Sequence, residues 1–198
     1  MPDLSLERAQ RALGARIVAG CDEAGRGCLA GPVVAAAVVL PADARLPDLD
    51  DSKKLSAARR ETLVPQIQAQ AVAWAVAECS PADVDRLNVL WAAMEAMRRA
   101  AVALAVPPDV LLVDGNTRIP DPPCAQVPVV KGDAISLSIA AASVLAKVSR
   151  DRQMVALDAA EPGYGFAGHK GYPTAAHYAA LARLGPSAHH RRSFTLTR

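Results

Sequence analysis

The sequence predicts an α/β fold, and three observations carry that expectation. Five short runs rich in Val, Ala and Leu, at about 16–22, 32–40, 71–78, 110–113 and 126–130, have the length and composition of strands. Longer stretches with apolar residues at helical spacing lie between and after them, the pattern of a sheet flanked by helices. Of the 198 residues 52% are hydrophobic but only 4% aromatic, so the core is built from Ala, Val and Leu and is large enough to stand alone.

Each element has a local reason. Residues 1–15 read as a short helix or lead-in. Ile17–Leu40, IVAGCDEAGRGCLAGPVVAAAVVL, holds two apolar runs joined by a glycine-rich turn, the pattern of a hairpin or tight strand return. After a loop over Pro41–Asp51, Ser56 is suited to cap a helix that Pro65 should end or kink. Ser80-Pro81 opens the longest predicted helix, reaching about Ala105. Its stripe of Leu87, Leu90, Met94, Met97 and Val102 reads as core. Val110–Val113 is a continuous apolar run, the sign of a central strand buried on both faces, and it ends at Asp114-Gly115-Asn116. The last strand closes on Lys131-Gly132-Asp133. From Asp133 to Leu157 the pattern is helical, with Ile135, Ile139, Ala142, Leu145, Ala146 and Val148 on one face. Small residues at Ala140–Ser143 would let that helix approach the sheet closely. A short helix from about Thr174 to Leu184 lies in a smaller addition, which divides the chain into a main domain, 1–160, and a basic helical extension, 161–198, packed on it.

Several function classes fall away. No stretch reaches the roughly 18 apolar residues of a membrane helix, and the charged N-terminus is unlike a signal peptide, so a soluble, cytoplasmic protein is expected. Cys21, Cys28, Cys79 and Cys124 form no C-x-x-C pair and no zinc spacing, which favours four reduced thiols. Gly25, Gly27 and Gly31 are spaced one residue longer than a dinucleotide fingerprint, and a strand follows where a helix is required. No phosphate-binding G-x-x-x-x-G-K-[ST] occurs. Charge is unevenly placed: Pro162–Arg198 carries five basic residues and no acid against a net charge of +2, so the remainder is net acidic by three. A basic end beside an acidic body suits a polyanion held near a carboxylate metal site, although a solvated surface would give the same count.

Four acids, Asp22, Glu23, Asp114 and Asp133, stand at strand ends or at the head of a helix. Asp22 and Glu23 are adjacent, and strand neighbours point to opposite faces, so both can reach one site only where the strand ends and the chain bends. Carboxylate oxygens suit Mg²⁺ or Mn²⁺. Two such ions about 3.5–4 Å apart can activate a water and stabilise the leaving oxygen of a phosphodiester. Each acid alone is an ordinary strand-end residue; the set of four is what points to a metal site.

The strings CDEAGRGCLAGPVVAAAVVL, DDSKKLS, DRLNV, VDGN, VKGDAISLSIAAASVLAKVSRDRQM, PGYGFAGHKGYPT and HHRRSF, in this order, resemble those of bacterial ribonuclease HII and span residues 17–194. The resemblance implies a ribonuclease H-like fold, a mixed five-stranded sheet flanked by helices with a small C-terminal helical part. It implies a monomeric endonuclease that cleaves the RNA strand of RNA–DNA hybrids and acts on DNA duplexes containing single ribonucleotides, with two Mg²⁺ or Mn²⁺ ions. Asp22, Glu23, Asp114 and Asp133 match the family's metal-binding acids. Gly25, Arg26 and Gly27 match the turn that senses the ribose 2′-hydroxyl, and Tyr172 the tyrosine that packs on the next sugar at an RNA-to-DNA junction. Lys53, Lys54, Lys131 and Lys170 fall at motif positions that meet phosphates, whereas Lys170, Arg191 and Arg192 read equally as phosphate contacts or as a solvated basic surface. The four histidines, at 169, 177, 189 and 190, are expected to be structural or solvent-facing. Cys28, Pro173 and Ala160-Glu161 depart from the common pattern; none touches the acids, although Pro173 bears on the pose of Tyr172. Two other readings use the same acids: a phosphohydrolase for small esters, which would need no sugar-packing tyrosine, and a binding module on an inactive nuclease fold, which a missing acid would betray.

Overall fold

A computed structural model describes residues 1–197; Arg198, counted above in the basic tail, lies outside the described residues. Val18–Ala24 (β1) and Val33–Val39 (β2) pair antiparallel as the hairpin-like run requires. Ala73–Cys79 (β3) extends the sheet antiparallel beyond β2, while Val110–Asp114 (β4) and Ala125–Val129 (β5) add parallel on the other side. The order is β3-β2-β1-β4-β5, a mixed five-stranded sheet. β2 is buried throughout, which explains its unbroken Val/Ala sequence.

Helices cover both faces. Val89–Val102 (α4) packs Met94 and Met97 onto the odd-numbered residues of β2, among them Ala35 and Ala37. Leu137–Ala160 (α5) covers the even-numbered residues, Ala36 and Val38, with help from Ala57–Gln70 (α2). The small residues of α5 act as the sequence suggests: Ala140, Ala141 and Ala142 are fully buried. The approach is so close that a Cβ on Gly20 would lie 2.4 Å from the backbone of Ser138 and Ile139. Ser5–Ala12 (α1) is tied to the same helix start by Glu7, a fully buried carboxylate that accepts from the hydroxyls of Ser136 and Ser138 and from the Ser138 N–H.

The expected boundaries need correction in places. β1 runs to Ala24, not 22, so Asp22 and Glu23 lie within the pairing rather than past it. α2 continues through Pro65; that face is exposed, so the carbonyl its ring leaves unpaired meets water while Leu63, Val64 and Ile67 hold the helix to the core. The long helix expected from Pro81 breaks into Pro81–Leu87 (α3) and α4 at Asn88, whose φ of 64° stops the first while its side chain caps the second. Val102 and Ile135, assigned to apolar faces, are exposed. Asp133 belongs to a short 3₁₀ turn, Gly132–Ala134, and α5 begins only after Ser136 caps it. Beyond α5, Phe166–His169 (α6) and Ala175–Leu184 (α7) gather around Tyr164, Phe166 and Met154. All four cysteines are free, and among the described residues no helix is long and apolar enough to cross a membrane.

Candidate active site

The register of β1 and β4 builds the site. Cys21 pairs with Val113, so the next positions, Asp22 and Asp114, are neighbours on the face that α5 covers. The turn before α5 brings Asp133 to the same place. One ligand oxygen from each of Asp22, Asp114 and Asp133 lies within 4.8 Å of the others. Glu23 points the other way along the strand, is not one of this close trio, and meets the cavity from the rim, where it accepts from Arg26 at 3.2 Å.

These carboxylates are held by the backbone around them. The Gly132 N–H donates to Asp114 Oδ1 at 2.7 Å, locking the turn that carries Asp133 to the end of β4. A Cβ on Gly132 would press on Ile139 at 2.6 Å, so this turn accepts only glycine without rearrangement. The Glu23 N–H donates to Asp22 Oδ1, and the Ser143 hydroxyl, itself 2.8 Å from that of Ser52, also bonds to Asp22. Lys53 donates to Asp133 Oδ2 at 3.1 Å.

The electrostatics are unfavourable as they stand. Burial, then the charges of Glu23 and Asp114, push the Asp22 carboxyl well above the usual carboxylate range. Burial and the Asp133 charge raise Asp114 as well. Burial works against the charge of Lys53, yet its contacts with Asp133 and the charge of Asp22 outweigh it and raise the ammonium. Lys53 and Arg26 do not balance four acids. An all-oxygen donor set of buried and half-buried carboxylates fits a hard divalent cation such as Mg²⁺ or Mn²⁺.

A cavity of about 500 Å³ opens over the acids and is lined by Asp22, Glu23, Asp114, Lys53, Gly25, Arg26, Gly27 and Tyr172. Eight of the expected site residues thus meet in one space; Asp133 does not line it but is joined to it through the acid trio and its bond from Lys53. A Cβ on Gly27 would meet nothing within 4 Å, which leaves room for a ligand to reach that backbone. Tyr172 is 38% exposed and its ring lies under the cations of Lys147 and Arg150 at 5.4 and 5.8 Å. Three expected lysines stand outside the cavity. Lys54 pairs with Asp50, Lys131 is exposed at the turn before Asp133, and the Lys170 ammonium bonds to the Ala167 carbonyl.

Arg191 is the clearest correction among the candidates for phosphate contact. It is fully buried, donates to the carbonyls of Gly31 and Arg26, and so braces the glycine turn from behind. Arg150, which no sequence motif singles out, is its counterpart: also fully buried, it donates to the carbonyls of Ala30, Pro32 and Lys170. With the Leu29 N–H donating to Gly171 at 2.8 Å, these two arginines weld the glycine turn to the segment carrying Tyr172. Arg192 is exposed and donates to the carbonyls of Pro186 and Ser187. The run VSRDR offers only a pair of basic residues on a helix; nothing in it distinguishes buried Arg150 from exposed Arg152 except helical phase.

Known proteins place this arrangement. The family model described as Ribonuclease HII matches residues 19–197. A Ribonuclease HII from Syntrophotalea carbinolica is 61% identical over 181 residues, covering 91% of this chain and 86% of the relative. The ribonuclease H2 of Pyrococcus horikoshii superposes with a TM-score of 0.73 at 25% identity, over 92% of this chain and 95% of that one. The RNase HII of Archaeoglobus fulgidus, solved in complex with PCNA, gives 0.72 at 29% identity, over 92% and 96%. The chain belongs to the ribonuclease HII family.

Proposed function

We propose that the chain hydrolyses the RNA strand of RNA–DNA hybrids and nicks duplex DNA at single embedded ribonucleotides, using two divalent ions, Mg²⁺ or Mn²⁺. Family membership makes it a metal-dependent endoribonuclease. The observation that carries the finer reading is that Asp22 and Asp114, with Asp133 close beside them in one trio, open onto the cavity that the glycine turn and Tyr172 also line. Bound ions would supply an activated water and stabilise the leaving oxygen of the phosphodiester.

Asp22, Asp114 and Asp133 hold those ions, and Glu23 joins them from the rim. The backbone of Gly25-Arg26-Gly27 meets the ribose 2′-hydroxyl, which lies in the open minor groove of a hybrid and is what separates RNA from DNA. The Tyr172 ring packs on the next sugar and favours one without a hydroxyl. Lys53 meets the phosphate nearest the acids; Lys54 and Lys131 serve flanking phosphates, and Lys170 does so only by leaving the Ala167 carbonyl. In this reading residues 1–160 are the catalytic domain, and 161–198 are an extension that delivers Tyr172 to a monomeric, cytoplasmic enzyme.

The test is a duplex with one embedded ribonucleotide, incubated with Mg²⁺ or Mn²⁺ beside a long hybrid, an all-DNA duplex and a small phosphate ester. Nicking of the first two alone, and only with the ion, is the expected result. Turnover of the ester without nicking would replace the proposal by a small-molecule phosphohydrolase.

A further inference from the structure

Behind Tyr172 lies a buried cluster with no part in the chemistry above. His177 is 0% exposed and His190 2%, and the His169 ring stacks on His177 with centroids 4.2 Å apart. The hydrogen bonds determine the tautomers. The Ser187 N–H donates to His190 Nδ1 at 3.0 Å, so that nitrogen is bare and the proton sits on Nε2. His177 Nδ1 lies 2.9 Å from the Tyr172 carbonyl, which can only accept, so Nδ1 carries the proton and Nε2 is bare. His190 Nε2–H then donates to His177 Nε2 at 3.0 Å. Every donor meets an acceptor from Ser187 through both rings to Tyr172. The other end of Tyr172 is held too: its N–H donates to the His169 carbonyl at 2.9 Å.

We infer that His177 and His190 form a positioning relay for Tyr172, fixing its backbone so that the ring stands in the cavity of the acids. The inference rests on the reading of Tyr172 as the side chain that selects the junction. The relay works only while both rings are neutral. A proton added to His177 Nε2 would face His190 Nε2–H, and one added to His190 Nδ1 would face the Ser187 N–H; either sets donor against donor. The surroundings keep protons out. Burial and then His177 push His190 down to about 4, and burial chiefly lowers His177. The titratable and charged groups that face the pair are His169 from α6, Tyr164 just before it with its ring 5.0 Å from that of His190, and His189 and Arg192 from the C-terminal segment; none is a carboxylate. Junction preference should therefore fall as pH drops towards 4.

The experiment compares kcat/KM on a single embedded ribonucleotide with that on a long hybrid, as a ratio, from pH 8 to 4.5. Titration of the metal-binding acids affects both substrates and cancels in the ratio. His177→Leu should lower the ratio about fivefold at pH 8, the worth of one buried hydrogen bond, and remove its pH dependence. His177→Asn, whose amide can still donate to the Tyr172 carbonyl, should restore most of it. A His177→Leu ratio equal to wild type, beside a Tyr172→Ala ratio that falls, would overturn the relay and leave the role of Tyr172 standing. If Tyr172→Ala slows both substrates equally, the role of Tyr172 fails instead. The relay is then decided by NMR: the two tautomers above by nitrogen-15 shifts, and Tyr172 ring resonances that move in His177→Leu. Unmoved resonances would end it.

Discussion

The two ends of the cavity are built on opposite electrostatic principles. At the acid rim, Asp22, Glu23, Asp114 and Asp133 crowd together with Lys53 as the one cation, among the described residues, in contact with an acid of the close trio, and burial with mutual repulsion raises Asp22 and Asp114. At the Tyr172 end, two neutral histidines satisfy each other and the backbone, and two buried arginines are spent on carbonyls. The rim leaves its charge unbalanced, whereas the Tyr172 end is satisfied by its own hydrogen bonds. Charge that is left unbalanced marks where chemistry happens; charge that is fully hydrogen-bonded marks where a shape is held.

That contrast can be broken from either side. The largest effect is expected at the rim: Asp114→Asn should lower cleavage about a thousandfold, the scale on which removing one transition-state contact acts. The same variant should melt no lower than wild type without metal, because it removes a charge from a repulsive cluster; a clear loss of Tm would mean that the carboxylate is structural. Arg191→Met should do the reverse, costing about 3 kcal/mol of stability by leaving the Gly31 and Arg26 carbonyls unpaired, read by urea unfolding.

The neutral histidines give a signed pH effect. His190 falls from 6.5 to about 4 on folding, so between those values the unfolded chain binds more protons than the folded one. Its contribution is present above pH 6.5 and is lost as pH falls towards 4, by about 3 kcal/mol, and His190→Gln should flatten that part of the stability curve. Smaller again, Tyr172→Ala should cut embedded-ribonucleotide nicking about tenfold and hybrid cleavage less, the worth of one aromatic packing interaction. Smallest is the salt response. Because Arg191 is buried, of Lys170, Arg191 and Arg192 only Lys170 and Arg192 are left as candidates for phosphate contact, and replacing both with alanine should reduce the slope of log affinity against log salt by at most roughly 0.7–0.9 for each phosphate no longer neutralised.

Much of this is legible in the chain because strands and turns leave short-range marks. Val110–Val113 announces a strand buried on both faces, and Asp114 at its end announces the rim. The mixed five-stranded sheet and the family follow the motif strings. What stays hidden depends on contacts far apart in sequence. Asp22 and Glu23 look equivalent, but pairing that continues to Ala24 sends them to opposite faces, so Asp22 joins Asp114 and Glu23 meets Arg26. Arg191 has the look of a phosphate ligand, yet the Gly31 carbonyl, 160 residues away, takes it. Asn88 breaks a periodic helix by a positive φ that apolar spacing does not reveal.

Manganese titration followed by NMR sets the two regions directly against each other, since carboxylates and imidazoles are both metal ligands. Paramagnetic broadening should centre on Asp22, Asp114 and Asp133 and vanish in Asp114→Asn, with His177 and His190 keeping their neutral tautomers. Broadening centred on the histidines, or unchanged in Asp114→Asn, would contradict the assignment of the acid rim as the metal site.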